Sequence, residues 1–246
     1  MRTVTLITLV LVGCLAMQAQ TIDVNSTTGV FYGHTGGEYV GYSLGGSKIS
    51  WGEPAGSSQS YYQFTGAQPP ETVAVAPSTN FLLGTFTHGN FPIYSGGGIT
   101  GVKLDVTLAM AIPSNGAGGG TNTTKTFTYN FSHWETPNSA NPCANGGTNG
   151  VGVNVNGCAD RALILNPTPN QTFTIDDVEY TLLMRFSQDG GQTFASQFWT
   201  IEGLANSAQL YGYFTTEVVP EPGFYGMLGL GLAGLYAAVR RRRAQA

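Results

Sequence analysis

The chain has 246 residues, enough for one medium β domain or two small ones, and it can bury a sizeable core. Charged residues make up only 10% of it and glycine fills 35 positions, a balance that excludes a helical bundle or a coiled coil. Between Thr21 and Val219 five basic residues stand against thirteen acidic ones, a net charge of −8, which argues against a nucleic-acid partner because phosphate binding needs clustered Lys and Arg.

At the N-terminus Arg2 precedes an apolar run from Val4 to Ala16, and small and polar residues follow as far as Ala19 and Gln20. Residues 1–20 read as a secretory signal peptide cleaved near Ala19 or Gln20, since the run is too short for a comfortable membrane span and the next segment is polar. Leu11-Val12-Gly13-Cys14 has the form of a bacterial lipobox, which leaves open a lipoprotein anchored at Cys14. A segment built from Leu, Val, Gly and Ala also produces that match by chance.

Residues 21–218 read as one extracytoplasmic domain. Gly36-Gly37, Gly45-Gly46, Gly96 to Gly98, Asn115 to Gly120, Gly146-Gly147 and Asp189 to Gly191 fall between short apolar or alternating runs, so long helices have little room. Strands are expected over residues 37–44, 48–51, 81–87, 99–111, 123–133, 161–165, 171–175, 178–186, 193–202 and 208–218. From Lys125 to Phe131 the residues Phe127, Tyr129 and Phe131 alternate with Thr126, Thr128 and Asn130, the period of a half-buried antiparallel strand. Such strands without helical crossovers predict an all-β fold, an antiparallel β-sandwich of jelly-roll type.

Several residues in this domain bear on chemistry. His88 and His133 each fall where a strand gives way to a loop, and with Glu135 and Asp160 they would bind a cation or exchange protons if the fold brought them together. The competing and favoured expectation is that each imidazole holds a turn by hydrogen-bonding backbone carbonyls. No HExxH, G-x-S-x-G or P-loop pattern occurs, so no catalytic residue, metal ligand or cofactor is assigned. Asp176-Asp177-x-Glu179, with Asp160 and Glu135, offers oxygen donors for calcium, although an exposed hairpin turn accounts for the acidic pair more simply.

Among the aromatic side chains, Trp51, Tyr61, Tyr62, Trp134 and Trp199 are available to stack on sugars. Trp199 is expected in the core and Tyr61-Tyr62 at the surface. A glycosidase needs two carboxylates about 5 to 9.5 Å apart, for which Glu135 and Glu202 are best placed. Cys143 and Cys158, an even pair in an exported segment, are expected to form a disulfide rather than part of a zinc site. Closing their loop would remove about 3 kcal/mol of unfolded-state entropy.

At the C-terminus Val219-Pro220-Glu221-Pro222-Gly223 leads into sixteen uncharged residues, Phe224 to Val239, and then Arg240, Arg241, Arg242 and Arg243. The uncharged run would span about 24 Å as a transmembrane helix over 224–239, with the arginines cytoplasmic and the domain outside. The two prolines stop that helix from extending backwards. The Pro-Glu-Pro triplet, the Gly-rich apolar stretch and the terminal arginines together resemble the PEP-CTERM protein-sorting signal. That resemblance implies export through Sec machinery, transient residence in the inner membrane, and removal of the tail by an exosortase that passes the protein to the surface of a Gram-negative bacterium. A plain single-pass anchor is the alternative.

A second resemblance spans roughly residues 39–218. Phe81-x-x-Gly84-x-Phe86-Thr87-His88-x-Asn90-Phe91-Pro92-Ile93, Phe131-x-His133-x-Glu135-Thr136-Pro137-Asn138, Gly157-Cys158-Ala159-Asp160 and Tyr180-Thr181-Leu182 are similar to the choice-of-anchor K domain. The likeness implies an extracellular β domain, strengthens the pairing of Cys143 with Cys158 and implies no catalysis. The resulting expectation is a cell-surface or extracellular protein with a binding or structural role in the envelope or exopolysaccharide matrix, extracellular polysaccharide being a natural ligand. The alternative is a secreted carbohydrate-active enzyme.

Overall fold

The computed structural model describes residues 20–68, 71–75, 79–112, 121–165, 172–175 and 178–217. Apart from Gln20, the expected signal peptide with Cys14 lies outside the described residues, as do Asp176-Asp177, Pro220, Glu221, Pro222, the span 224–239 and Arg240 to Arg243. No helix among the described residues is long and apolar enough to cross a membrane.

The described chain is all-β. In order, its strands are β1 (Gln20–Gly36), β2 (Gly41–Ser43), β3 (Lys48–Trp51), β4 (Ser60–Gly66), β5 (Glu71–Val75), β6 (Phe81–Asn90), β7 (Ile99–Ile112), β8 (Thr121–Trp134), β9 (Asp160–Leu165), β10 (Thr172–Ile175), β11 (Val178–Ser187), β12 (Gln197–Thr200) and β13 (Leu204–Glu217). One sheet runs β12-β9-β8-β7-β1-β5 and the other β10-β11-β13-β6-β4-β3-β2, with every pairing antiparallel. The only helix described is two single turns of 3-10 type, at Leu44–Gly46 and Gly152–Asn154.

Period-two patterning explains which residues meet between the sheets. Along β8 the side chains of Phe127, Tyr129, Phe131 and His133 are buried, Thr128, Asn130 and Ser132 between them are half-buried, and Thr126 and Trp134 on either side of the run are exposed. The partner residues from the second sheet obey the same rule: Ile49 and Trp51 on β3, Tyr62 and Phe64 on β4, and Phe86 and His88 on β6 all point inward. The Phe86 and Phe131 rings stack at 5.2 Å across the gap, and Tyr129 donates a 3.0 Å hydrogen bond to the Leu182 carbonyl on the opposite sheet. Each such ring removes a large apolar area from water at about 25 cal/mol per Å², so these pairs fix how the sheets sit.

Three strands, β1, β4 and β5, were not among those expected from the sequence. In β1 register shifts between Val24 and Ser26, and again after Tyr32, break the alternation that would have announced it. β4 is short and lies between loop-like segments, and its inward residues are Ser60, Tyr62 and Phe64. Close approach also matters here: a Cβ on Gly66 would lie 1.7 Å from the Thr27 carbonyl oxygen, so β1 and β4 meet only because that position is glycine.

Candidate functional site

At one end of the sandwich the inward rows change from aromatic to polar without changing parity. On β6 the row Phe86, His88 continues to Asn90, and on β8 the row Phe131, His133 runs on to Glu135 just past the strand. β9 opens with Asp160, and in β12 the inward row Phe198, Thr200 runs on to Glu202. Because β8 pairs β9 with His133 opposite Ala162 and Trp134 opposite Arg161, the next position along brings Glu135 to Asp160. The same logic brings Thr200 opposite Asp160 on the other side. Four strands from two sheets thus deliver His88, His133, Glu135 and Asp160 to one place, together with Glu202, Asn90 and Thr200.

The geometry is tight. The His88 and His133 rings lie 5.3 Å apart across the sandwich, with the Trp51 ring 5.9 Å from the first and 5.1 Å from the second. His133 Nδ1 is 2.5 Å from the Tyr62 hydroxyl, and its Nε2 is 3.2 Å from Glu135 Oε2. His88 Nδ1 is 2.8 Å from Thr200 Oγ1, and Asn90 donates to the Thr200 carbonyl at 3.1 Å. The histidines therefore bond to side chains inside the strands; among the described residues neither holds a turn through a backbone carbonyl, because the inward pleat aims each ring away from the chain that follows it.

The Cys143–Cys158 disulfide is present and staples the loop between β8 and β9. Just inside it the Thr136 amide donates to Asp160 Oδ1 at 2.7 Å, and the Thr136 hydroxyl donates to the carbonyls of Cys158 and Ala159 at 3.2 and 3.1 Å. Asn154 extends the scaffold by accepting the Ala159 amide at 3.0 Å. The loop thus orients Asp160 from outside the sheet. Gly98 contributes by omission: a Cβ there would sit 3.0 Å from Glu135 Cβ, so glycine lets the carboxylate lie against that wall.

Burial governs the electrostatics. His88, Asp160 and Glu202 are 0, 0 and 2% exposed, while the Glu135 side chain is 28% exposed. Burial lowers His133 to about 4, against the pull of Asp160, and lowers His88 well below the ordinary imidazole value, with His133 adding to the effect. Burial raises Asp160, with Glu135 adding to it, and also raises Glu135. It pushes Glu202 up to about 7, with Glu135 next in importance. At neutral pH both imidazoles are therefore uncharged, and Asp160, pushed up to about 8 by burial and then by Glu135, keeps its proton.

Beside the cluster a cleft of about 660 Å³ is lined by Tyr94, Gly98, His133, Trp134, Glu135 and Asn138, among others. Tyr94 and Trp134 are 58 and 43% exposed. On the outer face of the same sheet Trp134, Arg161 and Trp199 are cross-strand neighbours, with the guanidinium 5.0 and 5.8 Å from the two indole rings.

Two aromatic expectations are corrected. Trp199 is half-buried on the outer face rather than in the core, because Phe198 and Thr200 take the inward pleats of β12. The Tyr61-Tyr62 pair is not a surface platform: Tyr62 is fully buried against His133, and half-buried Tyr61 lies under the Lys48 ammonium, 3.8 Å from its ring centroid. The proposed calcium donors are divided. Glu135 and Asp160 are together, but Glu179 pairs with Glu217 at the opposite end of β13 from Leu204 and takes a hydrogen bond from Thr172. Asn90, Thr200 and the inward role of Tyr62 were missed in the sequence, although each has the parity of a recognisable neighbour: His88, Phe198 and Phe64.

A protein-family model described as the PEP-CTERM protein-sorting motif matches residues 218–243. This motif is a substrate signal for exosortase and indicates an exported protein sorted to the cell surface. The match takes in the prolines at 220 and 222 and all four arginines from 240 to 243. No curated protein matches the chain.

Proposed function

We propose that this protein leaves the cytoplasm on the signal peptide at residues 1–20, pauses in the inner membrane on a helix over 224–239, and is released by exosortase to act as a binding protein of the extracellular matrix. Its sandwich is then a domain of the choice-of-anchor K kind, and its ligand is extracellular polysaccharide. The observation that carries the binding half is the cleft, where two exposed aromatic residues, Tyr94 and Trp134, border a polar floor that includes Glu135 and Asn138. Sugar rings stack their C–H faces on such aromatics while hydroxyls pair with amide and carboxylate groups, the usual division of labour in a small-ligand site.

The test is a glycan array and a pull-down on acidic and neutral bacterial polysaccharides with the full chain in detergent. Wild type should be retained without degrading the polymer, and Trp134→Ala or Tyr94→Ala should weaken retention about tenfold, the loss of roughly 1.4 kcal/mol. Absence of retention on every polymer, or equal retention by the variants, would refute the reading. Hydrolysis of a retained polymer, lost in Glu135→Gln, would favour the enzyme alternative instead. That alternative has less support from the site, since Glu202 and Asp160 are buried and Glu135 is the carboxylate that reaches the cleft.

A further inference from the structure

We propose that His133, Glu135 and Asp160 form a site for a divalent transition-metal ion of the zinc type, opening on the cleft. The three offer one imidazole nitrogen and two carboxylate oxygens, and these donor atoms all lie within 4.8 Å of one another. A tetrahedral ion about 2.0 to 2.1 Å from each donor needs them roughly 3.4 Å apart. His133 Nε2 and Glu135 Oε2, at 3.2 Å, already meet that spacing.

Three further observations point to a cation. Asp160 is 0% exposed and its Oδ1 takes the Thr136 amide, yet its Oδ2 accepts no hydrogen bond from an amide or hydroxyl donor among the described residues, its side-chain neighbour being the Glu135 carboxyl. A buried carboxylate oxygen without such a donor is costly, and a bound cation is the partner that would remove the penalty. Glu202, 2% exposed, adds a further buried carboxyl whose side-chain neighbours are the Asn138 and Asn90 amides, and none of Glu135, Asp160 and Glu202 is ion-paired to Lys or Arg among the described residues. The third observation is His133 itself, whose Nδ1 is held by the Tyr62 hydroxyl, leaving Nε2 turned toward the carboxylates. With Nε2 on a metal, Nδ1 carries the proton and donates it to the Tyr62 oxygen, the outer-shell arrangement that fixes a ligating imidazole.

The donor set selects the class of ion. Calcium takes six to eight oxygens and magnesium a nearly octahedral oxygen shell, whereas one nitrogen with two carboxylates suits a borderline ion such as Zn²⁺. Three protein donors beside a cleft leave a fourth position for water or a ligand hydroxyl. The site stands independently of what polymer, if any, the cleft retains.

The experiment uses the full chain purified in detergent, stripped with EDTA and titrated with Zn²⁺ alone, by calorimetry and by competition against a chromophoric chelator. Near-UV circular dichroism of each variant checks its fold. One ion per chain is expected, together with a rise in Tm on adding Zn²⁺. Asp160→Asn and Glu135→Gln should each lose at least about tenfold in affinity, and Tyr62→Phe, which acts only by positioning His133, about tenfold. Glu135 is partly exposed, so Glu135→Gln keeps the test meaningful even if the buried variants misfold. His34→Ala, at an exposed residue that bonds to Tyr42 and is not one of the three donors, should bind as wild type. Absence of Zn²⁺ binding, binding unchanged in Glu135→Gln, binding lost in His34→Ala, or Ca²⁺ held as tightly as Zn²⁺ would each overturn the assignment.

Discussion

Asp189 shows how much one exposed carboxylate can organise. In the turn after β11 it accepts the Thr193 hydroxyl at 2.6 Å, the Thr193 and Gln192 amides at 2.9 and 3.0 Å, and the Ser187 hydroxyl at 2.8 Å. These bonds, Thr193 first, favour the ionised form and lower Asp189 to about 2. The folded value is below the unfolded one of about 3.9, so its stabilising effect is present above pH 4 and is lost as pH falls through about 2. Carboxyl NMR should therefore find an Asp189 midpoint near 2. The stability gap between wild type and Asp189→Asn should be open at pH 6 and closed at the acid end; a midpoint near the ordinary Asp value would show that the turn does not hold the carboxylate.

At the scale of elements, the loop between β8 and β9 links covalent chemistry to the polar cluster. It leaves β8 with Glu135, passes through the Cys143–Cys158 bridge and returns as Asp160, with Thr136 bonded back to the residues just before β9. A double Cys143→Ser, Cys158→Ser variant should lose about 3 kcal/mol in urea unfolding, the entropy expected for a closed loop of this length. A midpoint unchanged from wild type would mean that the hydrogen bonds alone define the loop. β8 itself was legible because its Phe127, Tyr129, Phe131 alternation is unbroken, and with hindsight that alternation also places His133 inside. β1 was not legible, since its bulges shift the pattern, and Tyr62 was misread because Ser-rich flanks made a core strand look like surface.

For the whole molecule, the proposed export route predicts processing at both ends. Mass spectrometry of the protein recovered from the cell surface should find a new N-terminus near Ala19 or Gln20 and a C-terminus lacking Arg240 to Arg243, with Cys143 joined to Cys158. Recovery of both hydrophobic ends intact with free thiols would overturn the export route.

What the linear chain determined by itself was address and class. A sorting signal is read by machinery that meets it as a local string, so three adjacent parts suffice, and turn density with period-two patterning is likewise local enough to announce an all-β fold. The tertiary structure decided the rest. His88 and His133 lie on opposite sheets, 5.3 Å apart in space and 45 residues apart in sequence, and Glu135 meets Asp160 only through antiparallel register. Contacts of that kind depend on pairing and burial across the whole sandwich, and no stretch of neighbouring residues contains them.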